Sequence, residues 1–153
     1  MANNYTMASF LVPMTKAQVQ WVIDAEKHLE NRAYGMTEEL PPAPYVSLVE
    51  RLREQDLEYS GFEHCEETKD GLWIAGMESF NPEYAAILLH EWMLAFDIKS
   101  RAVSFQYAET CSKPRCDEFG GGAVVVSHAG FEFLNTASWV ERTVNALTES
   151  ELV

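Results

Sequence analysis

The densest concentration of reactive residue types in this chain is Thr110-Cys111-Ser112-Lys113-Pro114-Arg115-Cys116-Asp117-Glu118-Phe119-Gly120-Gly121-Gly122-Ala123. Two chemistries fit its composition. Lys113 and Arg115 stand close to Cys111 and would favour its thiolate, the form of cysteine that attacks or ligates. The amides of Gly120, Gly121 and Gly122, backed by the same two cations, could receive an anion. A nucleophilic cysteine also needs a positioned base. His64, His90 and His128 qualify only by elimination, and His28 and His90 fall inside helical patterns. The glycine run lacks the Lys-Ser/Thr ending of a phosphate-binding loop and does not open a helix. A plainer role for the glycines is a positive φ or a bulge where the chain re-enters a sheet. Lys113 and Arg115 could also pair with their neighbours Asp117 and Glu118. Cys111, Lys113, Arg115, Gly120, Gly121 and Gly122 are therefore candidate ligand-binding residues, and no residue is assigned as catalytic.

Zinc accepts thiolate and imidazole in a tetrahedron, which makes Cys65, Cys111, Cys116, His64 and His128 a possible donor set. The four-residue gap between Cys111 and Cys116 is looser than a zinc knuckle. Strand alternation would also turn His64 and Cys65 to opposite faces. A buried Cys65 and two loop cysteines fit better, so no metal and no cofactor is expected.

Acids concentrate between Glu50 and Asp70, where eight carboxylates face three cations. Glu58, Glu63, Glu66, Glu67 and Asp70 are the candidate partner-binding acidic face, although such a cluster is more often plain solvated surface. Glu66 and Glu67 point opposite ways on a strand and make a poor acid/base pair. The whole chain carries 24 acids against 11 bases, a formal charge of −13. Direct nucleic-acid binding is excluded on that balance, because phosphates need clustered Lys and Arg. An anionic membrane surface is excluded for the same reason. A basic protein partner suits it, for instance a nucleic-acid-binding protein whose phosphate contacts the acidic face imitates. No apolar run reaches the length of a membrane span, and no basic-then-apolar leader opens the chain. Three cysteines, an odd number, suggest free thiols in a reducing, cytoplasmic setting.

The elements that must position these groups follow from periodicity. Tyr5 to Val12 has strand character and Pro13 ends it. Thr15 and Gln18 form a capping box, and Val19, Val22, Ile23, Glu26 and Leu29 recur at helical spacing to about Arg32. Tyr34 to Pro44 is a loop, and Tyr45 to Gln55 a short helix. Tyr59 to Glu67 and Leu72 to Met77 are strands joined through Lys69-Asp70-Gly71, a hairpin signal. Asn81-Pro82-Glu83 opens a strongly apolar helix through Phe96. Val103 to Ala108 alternates as a strand, and Ala123 to Ser127 and Phe131 to Leu134 follow as strands. Ser138 with Glu141 caps a last helix whose Trp139, Val140, Val144 and Leu147 face inward, with a frayed tail beyond Thr148. At 153 residues the chain fits one domain, residues 1–153. The expected class is α+β: an antiparallel-rich sheet with a ferredoxin-like β-α-β-β-α-β core, extended by a β-hairpin and a C-terminal helix.

The chain resembles a group of small acidic bacterial and phage- or plasmid-associated proteins with a TCSKPR…FGGGA motif and no established activity. The resemblance rests on Ala2-Asn3-Asn4-Tyr5-Thr6, on Asp70-Gly71-Leu72-Trp73-Ile74, on Thr110 to Arg115 with Phe119 to Ala123, and on Asn135-Thr136-Ala137-Ser138-Trp139. Cys116 departs from that pattern, which weakens any joint role for Cys111 and Cys116. The resemblance implies a protein of mobile elements that modulates a host protein. The expected function is thus non-enzymatic binding of a protein partner through the acidic face. The alternative is a small-ligand or anion-binding domain, enzymatic or not, built on the Cys111–Gly122 loop. Trp73, Trp92 and Trp139 also offer aromatic surface for a homodimer.

Overall fold

The computed structural model describes residues 2–33 and 42–152. Strand β1 (Asn4–Val12) leads through Pro13 into helix α1 (Lys16–Ala33). The expected capping box is present: Gln18 N–H donates to Thr15 Oγ1 at 3.3 Å, and Thr15 N–H donates to Gln18 Oε1 at 3.2 Å. The loop expected over 34–44 lies outside the described residues as far as residue 41. A 3-10 turn at Ala43–Tyr45 then runs into α2 (Val46–Glu54). Next come β2 (His64–Thr68), β3 (Gly71–Gly76), α3 (Pro82–Ala95), β4 (Val103–Cys111), β5 (Gly120–Ser127), β6 (Gly130–Asn135) and α4 (Thr136–Leu152).

The six strands form one sheet in the order β2-β3-β1-β4-β5-β6, and every neighbouring pair is antiparallel. The class is mixed α+β, as the pattern predicts. Alternation along the strands sends Ala8 and Val12, Leu72 and Ile74, Val103, Phe105 and Tyr107, and Val124 and Val126 into one buried layer. The apolar stripe of α1 covers that layer at β2 and β3, α3 covers it at β5 and β6, and α2 packs its buried face on α3. Helix α3 buries every residue from Tyr84 to Leu89, and Glu91, Trp92 and Met93 as well. A helix apolar on nearly all sides must be surrounded, and α3 packs on β5, β6, α1 and α2.

Several elements differ from expectation, each for a local reason. The strand expected from Tyr59 begins at His64. Gly61 before it has φ +71, and a Cβ there would lie 1.8 Å from the Ser79 carbonyl oxygen, so the segment bends under the β3–α3 connection. The strand expected from Ala123 begins at Gly120, which places the glycine run inside the sheet. Helix α4 is capped by Asn135, whose Oδ1 accepts from Ser138 N–H at 3.1 Å; Ser138 is its third residue. The tail expected to fray continues as helix to Leu152. Most consequentially, Trp139, Val140, Val144 and Leu147 do not face inward. They are 53%, 49%, 53% and 65% exposed, because α4 meets the domain at β5 and β6 and its stripe has no layer over it.

Candidate functional site

A cleft of about 660 Å³ opens between α1, the segment 58–66 and the start of α3. Glu26 reaches it from the α1 stripe that otherwise carries Val22, Ala25 and Leu29 into the core. Tyr84 O–H donates to Glu26 Oε2 at 2.9 Å, and Ser60 is a second hydrogen-bonding neighbour of the carboxyl. Asn81 fixes both supports. Its side chain accepts from Tyr84 N–H at 3.2 Å as the cap of α3, and its N–H donates to the Ser60 carbonyl at 2.9 Å. The floor beneath is aromatic: Phe62 packs on Phe80 and Tyr84 at centroid distances of 5.5 and 5.6 Å. Glu30, Glu58, Glu63 and Glu66 stand around the cleft with Lys27 and His64. Five glutamates thus meet one lysine.

Burial pushes the Glu26 carboxyl up from 4.5 to about 7; its hydrogen bonds to Ser60 and Tyr84 pull the other way, and the Glu30 charge adds to the rise. Burial, reinforced by the charges of Glu26 and Glu66, pushes the Cys65 thiol up to about 12. Burial and the Glu26 charge also push the Tyr84 phenol upward. At neutral pH, then, Cys65 is a protonated thiol and Glu26 is divided between acid and carboxylate. Among the described residues no cation is buried beside it, so a positive group entering the cleft would meet a carboxylate still in need of a counter-charge.

The five acids singled out from sequence do not share one surface. Glu58, Glu63 and Glu66 come together at the cleft, where Glu63 Oε2 accepts from Met77 N–H at 2.9 Å and Glu66 Oε2 lies 2.6 Å from His64 Nδ1. Glu67 instead borders a hollow with Lys16 and Lys69, and Asp70 borders another with Lys99 and Arg101.

The glycine run is occupied by the sheet. Gly120, Gly121 and Gly122 pair with Glu109, Ala108 and Tyr107, and Gly121 N–H donates to Thr136 Oγ1 at 3.1 Å. Gly122 makes room for a side chain, since a Cβ there would fall 2.6 Å from the Tyr107 hydroxyl and 2.4 Å from the Leu134 carbonyl. Cys111 closes β4 opposite Asn4. Lys113 and Arg115 are exposed in the connection, and among the described residues neither forms an ion pair with Asp117 or Glu118. Among the described residues no three His, Cys, Asp or Glu side chains are grouped to hold a metal ion.

A second polar cluster escaped the sequence. Ser47 Oγ donates to Glu91 Oε1 at 2.8 Å, and Arg51 Nη1 lies 3.0 Å from the same oxygen. Arg51 Nη1 also donates to His90 Nδ1 at 2.8 Å, which leaves His90 Nε2 to donate to the His128 carbonyl at 3.0 Å. Serine, histidine and glutamate are close, yet Ser47 is committed to Glu91 and both His90 nitrogens are engaged. The cluster ties α2, α3 and the β5–β6 turn together and offers no Ser–His nucleophile.

Glu26 had a sequence signal: it is the one acid among the apolar recurrences of α1. Glu91 had the same signal within α3. No family model, curated protein or solved structure matches the chain. Among the described residues no helix is long and apolar enough to cross a membrane.

Proposed function

We propose that the protein is a non-enzymatic binding protein whose α1–β2 cleft receives a basic group, a lysine or arginine side chain, of a protein partner. The observation that carries this is the five-to-one excess of glutamate over lysine around a cleft with a half-buried, hydrogen-bonded carboxyl in its wall. Glu58, Glu63 and Glu66 supply the attracting field at the mouth. Glu26 supplies the counter-charge inside, and gains it by giving up its proton when the cation arrives. Tyr84 and Ser60 orient the carboxyl, and the Phe62 ring gives the stem of a long cationic side chain an apolar wall. A mobile-element protein that occupies a basic, nucleic-acid-binding host protein is the setting this reading favours. The test is partner capture from lysate by wild-type chain, by a Glu58→Lys/Glu63→Lys/Glu66→Lys variant, and by an equal reversal outside the cleft at Glu50, Glu54 and Glu118. Capture should fail for the first variant and survive in the second. Equal loss in both would leave only bulk charge, and no loss in either would remove the cleft from the binding surface.

A further inference from the structure

We infer that β6 and α4 form a self-association face, and that its occupant is a second copy of this chain. Val125, Leu134, Trp139, Val140 and Val144 are each 48–53% exposed. Val125 and Leu134 lie on the sheet face opposite the buried Val124 and Val126, and the other three follow helical spacing along α4. Half of the Trp139 side chain is roughly 100 Å², and half of four aliphatic side chains brings the exposed apolar surface to a few hundred Å². A standard interface buries about 800 Å² per partner, somewhat over half of it apolar. The patch therefore supplies much of the apolar area that one side of a dimer needs.

Two further observations choose the occupant. Residues 119–148 carry three formal charges, Glu132, Glu141 and Arg142, a net of −1 in a chain of −13. A second copy, equally acidic, meets least repulsion there, while a basic protein finds little attraction. The acidic cleft borders β2, at the opposite end of the strand order, so a dimer through β6 leaves both clefts open. The second observation is the edge itself. Strand β6 ends the sheet, and its sequence Gly130-Phe131-Glu132-Phe133-Leu134-Asn135 has neither the lysine nor the proline that usually protects an edge. Antiparallel pairing of β6 with its copy about a two-fold axis satisfies that edge and brings the α4 stripes together.

Light scattering after size exclusion tests this at about 200 µM chain, a concentration that populates even a weak dimer. The wild type should give twice the 17.3 kDa chain mass, at high salt as well as low. Val140→Glu/Val144→Glu changes only exposed positions and should give 17.3 kDa with unaltered circular dichroism. Its association should weaken about 100-fold or more, because four unpaired carboxylates would enter the interface. Leu134→Lys, on the edge strand, should act likewise. A wild type of single mass, including one that captures a different protein through this face, overturns the inference. So do well-folded variants that keep the double mass.

Discussion

Replacing Glu26 by glutamine should change how stability depends on pH, in a direction and amount set by the cleft. The carboxyl is displaced from 4.5 to about 7, and one pH unit of displacement corresponds to about 1.4 kcal/mol, so the linkage amounts to about 3 kcal/mol. Its sign follows from proton counting. Between those two values the native chain holds the Glu26 proton while the unfolded chain has released it, so stability falls as pH rises through the window. Glutamine still accepts from Tyr84 but cannot ionise. The free-energy difference between variant and wild type should therefore grow in the variant's favour by about 3 kcal/mol from pH 4.5 to 8, then level off. Urea unfolding followed by tryptophan fluorescence at four or five pH values measures it. A difference that stays flat across the window, or moves the other way, would refute the burial of Glu26 as the cause.

Other expectations concern the loop, the thiols and the cap. Gly122→Ala should cost about 2 kcal/mol or more in thermal or urea unfolding, because its Cβ would overlap the Tyr107 hydroxyl and the Leu134 carbonyl. Lys113→Ala with Arg115→Ala, both exposed, should stay within about 0.5 kcal/mol of wild type; a large loss would give those cations a structural role absent from the fold described. Iodoacetamide at pH 8 should label exposed Cys116 first and half-buried Cys65, whose thiol is pushed up to about 12, far more slowly. Peptide mapping that found Cys65 labelled as fast as Cys116 would contradict its burial. Asn81→Ala should cost about 1 kcal/mol through loss of the α3 cap, with calorimetry as the check.

Most element types were readable because local chemistry and tertiary packing agree. The Thr15–Gln18 box, the Asp70-Gly71 turn and the Asn81-Pro82 helix start all depend on nearest neighbours, and all three are present. What local pattern could not supply was pairing across the chain. Gly120, Gly121 and Gly122 look like a loop until Tyr107 is placed opposite Gly122. The α4 stripe looks like a core face, since periodicity records that a helix has an apolar side and not whether a layer exists to cover it. The candidate site was half legible. Glu58, Glu63 and Glu66 were visible as charge, but Glu26, Tyr84 and Ser60 join them only because α1 packs against α3 and the segment 58–66 lines the same cleft.

Calorimetric titration with a lysine- and arginine-bearing peptide at pH 7, in two buffers of unequal ionisation enthalpy, addresses the cleft most directly. Burial pushes the Glu26 carboxyl up to about 7, so binding of a cation should release a measurable fraction of a proton per chain, and Glu26→Gln should abolish that release and weaken binding. Peptide binding with no proton release, or with a release that Glu26→Gln leaves unchanged, would contradict the cleft as the receiver of a basic group.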